Sequence, residues 1–159
     1  MIYLIGSLRN PEVQLVAGFL REQLKEEVFD DWASPGPRTD EHWQGYENGR
    51  GRTYAEALQG LHAKHVFEFD REHLIRADRV VLVLPAGRSA HLELGWILGQ
   101  GKPGYVLLES NPTRYDIMYQ FADGIASSQD ELVDMLRVRK RQTEEFVNAF
   151  EYYVKRGGI

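Results

Sequence analysis

The chain opens on an apolar run, Ile2–Ile5, stopped by Gly6 and Ser7, and this run reads as a buried strand. Asn10 followed by Pro11 marks a helix start, with Val13, Val16, Ala17, Leu20 and Leu24 at helical spacing behind it. Val28-Phe29 reads as a second strand that ends at Asp30-Asp31-Trp32. Residues 33–52 lose this regularity. Ala33-Ser34-Pro35-Gly36-Pro37 and Gly45, Gly49 and Gly51 predict a long loop, and Trp43 and Tyr46 make it an aromatic one. From Thr53 a helical pattern runs to Ile75, with Gly60 as a kink or a division into two helices. Arg79–Leu84 is fully apolar after its first residue and rich in valine, the pattern of a central parallel strand. Ser89 is placed to cap a helix carrying Leu92, Leu94, Trp96, Ile97 and Leu98, which Gly99, Gly101 and Pro103 terminate. Tyr105–Leu108 reads as a strand, Tyr115–Phe121 as a short helix and Gly124–Ala126 as a last short strand. Asp130–Leu136 and Thr143–Val154 read as helical, with a break near Arg137.

Strands alternating with helices predict a doubly wound α/β fold with a mostly parallel, five-stranded sheet. Ligands of such sheets bind outside the carboxyl ends of the strands. Gly6–Arg9, Asp30–Trp32 and Pro85–Ser89 all fall at that edge. A length of 159 residues fits one domain, with a helical extension from about residue 129.

Composition narrows the function. With no cysteine, the chain has no disulfide framework, no cysteine-based zinc or iron–sulfur site and no thiol nucleophile. A net charge of −5 argues against a nucleic-acid partner. No apolar run reaches the roughly 20 residues of a membrane span. The N-terminus lacks the basic start of a signal peptide, so a cytoplasmic location is expected, without a membrane partner.

Each candidate group has a chemical and a plain reading. Glu93 lies about one turn into its helix among apolar neighbours. It is either a reactive carboxylate near the sheet edge or an acid complementing the helix dipole. Asp70 and Asp78 are eight residues apart and fall on roughly one helix face if the helix continues that far. Carboxylates that converge on a pocket can divide nucleophile and acid roles at a glycosidic carbon; otherwise Asp70 is a solvated acid and Asp78 a helix-end residue. Gly6-Ser7 can offer backbone N–H groups to an anion, although it is no G-x-G-x-x-G fingerprint. Gly95 and Gly99 read as close-packing positions. His62 and His65 can share a helix face, but nothing fixes a third ligand, so no metal is expected. Arg137–Arg141 reads as a solvated basic face, and Phe146, Phe150 and Tyr153 as core or a subunit contact.

Taken in order, Ile2-Tyr3-Leu4-Ile5-Gly6-Ser7, Asp70 with Asp78-Arg79-Val80-Val81-Leu82-Val83-Leu84-Pro85, and Glu93-Leu94-Gly95-Trp96 with Gly99-Gln100-Gly101-Lys102-Pro103 resemble the nucleoside 2-deoxyribosyltransferase family, over residues 1–110. The resemblance implies a flavodoxin-like fold and transfer of a deoxyribosyl group through a covalent glutamate intermediate. It assigns the nucleophile to Glu93, the residue that holds it to Tyr3, and the acid serving the leaving base to Asp70. Gly87 stands where the transferases carry a sugar-binding aspartate. A related branch hydrolyses deoxynucleoside 5′-monophosphates, and Ser7, Arg9, Arg88 and Ser89 can serve a phosphate here. The expected substrate-binding set is therefore Gly6, Ser7, Arg9, Trp32, Trp43, Tyr46, Asp78, Gly87, Arg88, Ser89 and His91, with one or more of Trp32, Trp43 and Tyr46 stacking on the base. The expected ligands are a deoxynucleoside or deoxynucleotide and a free nucleobase. No organic cofactor is implied, and a homo-oligomer is. Two non-catalytic alternatives are a nucleotide-binding module that uses the same pocket and an assembly protein held by its C-terminal helix.

Overall fold

The structure, a computed structural model, describes residues 1–112, 115–138, 145, 147 and 148. Five strands, β1 (Ile2–Ile5), β2 (Val28–Phe29), β3 (Arg79–Val83), β4 (Gly104–Leu107) and β5 (Gly124–Ala126), form one sheet in the order β2-β1-β3-β4-β5. Every neighbouring pair is parallel. This is the flavodoxin-like arrangement, whose strand order reverses direction beside β1 and β3. The register sets Tyr3 against Phe29 on one side and Val80 on the other.

Helices cover both faces. On one, α1 (Glu12–Leu24) and a helix over 129–138 seal Ile2, Leu4, Val81 and Val83 with Val13, Val16, Leu20, Leu132 and Leu136. On the other, α4 (Leu61–Arg76) and α5 (Arg88–Gly99) cover Tyr3, Ile5, Val80 and Leu82 with Leu74, Ala90, Leu94 and Ile97. The alternation of β1 explains the division, since successive side chains point to opposite faces. Each fully buried aliphatic side chain contributes roughly 1.5–3 kcal/mol relative to exposure. Among the described residues no helix is long and apolar enough to cross a membrane.

Several boundaries differ from the sequence reading. Residues 33–52 are not a long loop. A 3₁₀ turn, Asp31–Ala33, leads to α2 (Thr39–Gly49) and then α3 (Tyr54–Leu58). Pro35 and Pro37 precede α2, and Gly45 sits on its solvent side, so neither breaks the helix. Trp43 and Glu47, four residues apart, turn inward together. Gly60 divides the next helical stretch: α3 carries a full capping box between Thr53 and Glu56, and α4 starts afresh. The first helix begins one residue after Pro11, with Asn10 Oδ1 accepting from the Glu12 N–H at 3.1 Å. Gly87, not Ser89, is the cap residue of α5. Tyr115–Phe121 narrows to a 3₁₀ turn, Ile117–Phe121. Gly95 and Gly99 have no neighbour that a Cβ would touch, so they face open space and do not permit close packing. The expected helix over Thr143–Val154 and its stripe of Phe146, Phe150 and Tyr153 lie mostly outside the described residues, as does most of the basic run after Val138.

Candidate active site

Helices α4 and α5 both begin at the carboxyl edge of the sheet and run back across the same face. That geometry brings together three residues far apart in sequence. Tyr3 is the second residue of β1 and is 1% exposed. Asp70 projects from α4 and Glu93 from α5, both half-buried. They lie close enough to act on one another electrostatically. Burial, reinforced by the charge of Asp70, pushes the Glu93 carboxyl up to about 7. Burial pushes Asp70 up to about 6, against a lowering influence from His73. Burial, then the charges of Glu93 and Asp70, pushes the Tyr3 phenol far above its ordinary value. Tyr3 therefore stays a hydroxyl donor at any physiological pH. Two carboxyl groups that hold protons near neutrality thus stand near a buried phenol, and the titration of Glu93 feels the charge of Asp70.

Neither carboxylate has an ion-pair partner among the described residues. The Oδ1 of Asp70 is buried without a hydrogen bond. An unsatisfied buried carboxyl oxygen costs folding energy, and it is a mark of functional sites.

Above the pair, toward the carboxyl edge, a cavity of about 670 Å³ opens between α2, α3 and α4. Trp43, Arg52, Tyr54, Val66, Phe67 and Ser89 are among its walls. Val66 and Ser89 stand four residues before Asp70 and Glu93 on their helices, so the two carboxylates lie one turn below it. The size suits a ligand of nucleoside or nucleotide dimensions. Trp43 meets Tyr54 edge to face, with ring centroids 6.3 Å apart. An ion pair of buried Glu47 with half-buried Arg52 at 3.0 Å ties the end of α2 to the start of α3. Arg9 joins Glu41 of α2 at 3.5 Å and so fastens this wall to the turn after β1. Among the described residues no three acidic or histidine side chains converge as a metal would need.

Other residues of the predicted set take different places. Asp78 is not on a helix face with Asp70, because α4 ends at Arg76. It precedes β3 at the amino edge, where it pairs with the Met1 amino group at 2.5 Å, on the far side of the sheet from the cavity. Trp32 is not among the walls of the cavity: its indole N–H donates to the Leu4 carbonyl at 2.7 Å, and its ring packs against both cores. Tyr46 turns to solvent, 56% exposed, with its hydroxyl accepting from Arg50 at 2.6 Å. His91 is two residues before Glu93, a rotation of about 200° around α5. It lies on the opposite flank, its Nδ1 2.7 Å from the Gly87 carbonyl and its Nε2 2.9 Å from the Tyr119 hydroxyl. Gly6 is required by packing, since a Cβ there would lie 2.5 Å from Val13 Cγ2. Ser7 Oγ accepts from the Arg9 N–H at 3.2 Å within the turn after β1. Gly87 and the exposed Arg88 form the start of α5, beside Ser89.

Sequence reasoning named Trp43 and Ser89 but missed that α2 and α3 build the cavity wall, and it gave His73 and Phe29 no place in the site. The spacing Thr39, Trp43, Glu47 was the available signal for α2, obscured by three nearby glycines. Compared with known proteins, the chain matches no family model and no curated sequence at a significant level.

Proposed function

We propose that the chain cleaves and transfers the N-glycosidic bond of 2′-deoxyribonucleosides. The observation that carries this reading is the pair of half-buried, unpartnered carboxyl groups, Asp70 and Glu93, beside Tyr3 and one turn below a nucleoside-sized cavity. A glycosidic carbon needs this equipment: one carboxylate to attack or stabilise it, and one acid to protonate the departing group.

In the first step a Glu93 carboxylate oxygen forms a bond to C1′ as the C1′–N bond breaks. The bond's electron pair stays on the base nitrogen, and the Asp70 proton neutralises it. In the second step a nitrogen of another base attacks C1′ and releases Glu93, while Asp70 takes the proton from the incoming group. Water in place of the base gives hydrolysis. Tyr3, held as a phenol, can donate toward the Glu93 carboxylate and favour its ionised, attacking form. Trp43 and Tyr54 supply the aromatic surface for a base.

Ser89 favours a second reading, 5′-monophosphate hydrolysis. It lines the cavity in the first turn of α5, where unpaired backbone N–H groups attract a phosphate, and Arg52 shares that cavity.

The test is product analysis by liquid chromatography, with each deoxynucleoside and each 5′-monophosphate, with and without adenine or cytosine as acceptor. Base exchange on nucleosides supports the transferase. Free base from monophosphates alone selects the hydrolase. No product from any substrate overturns both. In that case, tight nucleotide binding that survives Glu93→Gln identifies a binding module, and oligomers that bind no nucleoside identify an assembly protein.

A further inference from the structure

His73 has no role in the chemistry above, yet its ring is held on several sides. It follows Asp70 by three residues and so stands beside it on α4. Its imidazole stacks on Phe29 of β2 with ring centroids 4.1 Å apart and 13° between planes. Phe69 closes a second side at 4.5 Å. The His73 Nδ1 lies 2.8 Å from the Phe69 carbonyl oxygen. A carbonyl only accepts, so Nδ1 carries a proton and Nε2 is the nitrogen left to gain or lose one. Phe29 in turn stacks on Tyr3 at 5.1 Å. Three rings thus form one wall from α4 to β1, next to the residues proposed to react.

We propose that His73, held in the ring stack three residues along α4 from Asp70, is a positioning residue whose charge sets how readily Asp70 releases its proton. This rests on the glycosidic reading of the site. A phenylalanine at this position would complete the stack equally well; what histidine adds is a titratable charge one helical step from the acid. An imidazolium stabilises the neighbouring carboxylate and a neutral imidazole does not. The direction agrees with the lowering influence of His73 on Asp70. Other ionisable groups near the ring are Tyr3 behind Phe29, Glu93 beyond Asp70, and Glu72 and Arg76 on α4 itself. Asp30, which follows Phe29, is occupied by Arg21.

The experiment is a carboxyl-carbon NMR titration of the full-length ¹³C-labelled protein, with Asp70 assigned by loss of its signal in Asp70→Asn. In His73→Phe the stack is retained, so the melting temperature stays within about 3 °C of the wild type. The Asp70 midpoint moves up by roughly half a pH unit or more. The pH profile of kcat/KM moves the same way. His73→Ala, which removes the rings' contact as well, lowers the melting temperature and separates the structural part. An unmoved Asp70 midpoint in His73→Phe overturns the proposal. The titration needs no turnover, so an absence of glycosidic activity defeats the functional reading alone and leaves the role of His73 to be decided by the NMR shift.

Discussion

The amino end of the sheet and the middle of its α4–α5 face treat charge in opposite ways. At the amino end, charged groups meet partners, although Arg79 Nε is itself buried without a hydrogen bond. The Met1 amino group meets Asp78, Arg79 meets Glu26 at 2.9 Å, and Lys102 Nζ reaches the Ile75 and Ala77 carbonyls that close α4. On the α4–α5 face, Asp70 and Glu93 are drawn out of water with no ion-pair partner among the described residues. Both regions contain acidic residues at element ends or on helices, and a sequence reading treats them alike. The difference lies in compensation. A paired charge is spent on holding elements together, whereas a buried carboxyl without a partner keeps its proton to near neutrality and is free to exchange it with a ligand.

Substitutions at the two regions should therefore separate cleanly. The largest effect is expected at Glu93: Glu93→Ala lowers base release or exchange by a factor of about 10³ or more, and Asp70→Asn by about 10², with circular dichroism unchanged. Substantial activity in Glu93→Ala would break the comparison at its centre. Next comes the packing that supports the site. Gly6→Ala drives a methyl group into Val13 and should cost about 1–3 kcal/mol in urea denaturation, most of it recovered by adding Val13→Ala.

The third effect is on the pH dependence of stability. The unfolded chain releases the Glu93 proton near 4.5, whereas the folded protein holds it to about 7. The unfolded state binds fewer protons between those values, so this group's contribution falls as pH rises from about 4.5 to about 7 and is level above. Glu93→Gln should flatten that decline, gaining on the order of 2 kcal/mol at pH 8 relative to the wild type. A variant that declines as steeply as the wild type would show that Glu93 is not buried as a carboxylate. The smallest effect belongs to the amino end. Asp78→Asn breaks an ion pair whose carboxylate is 69% exposed, so it should leave turnover within about twofold and change stability by less than about 1 kcal/mol.

Legibility followed the range of the interactions. The strands were readable because burial on both faces leaves continuous apolar runs, as in Arg79–Val83 and Ile2–Ile5. Helix α1 was readable from its single apolar stripe. Helix α2 was not, because glycine and proline near it are local breakers, while the contacts that hold it reach outside it, from Glu41 to Arg9 and from Trp43 to Tyr54. Trp32 shows the same limit: an aromatic after a strand looks available to a ligand until its N–H is seen on the Leu4 carbonyl.

By itself, then, the sequence determined the α/β architecture, since strand and helix periodicity are local properties of the chain, while Tyr3, Asp70 and Glu93 were nominated through the resemblance of their motifs to a known family. Only the tertiary structure decided which acids are buried without partners and which are neutralised. That depends on two helices crossing one face of the sheet from the same edge, which sets Asp70 beside Glu93 and leaves Asp78 at the other end with Met1. Desolvation and pairing are properties of a residue's neighbours in space, and these neighbours come from elements far apart along the chain.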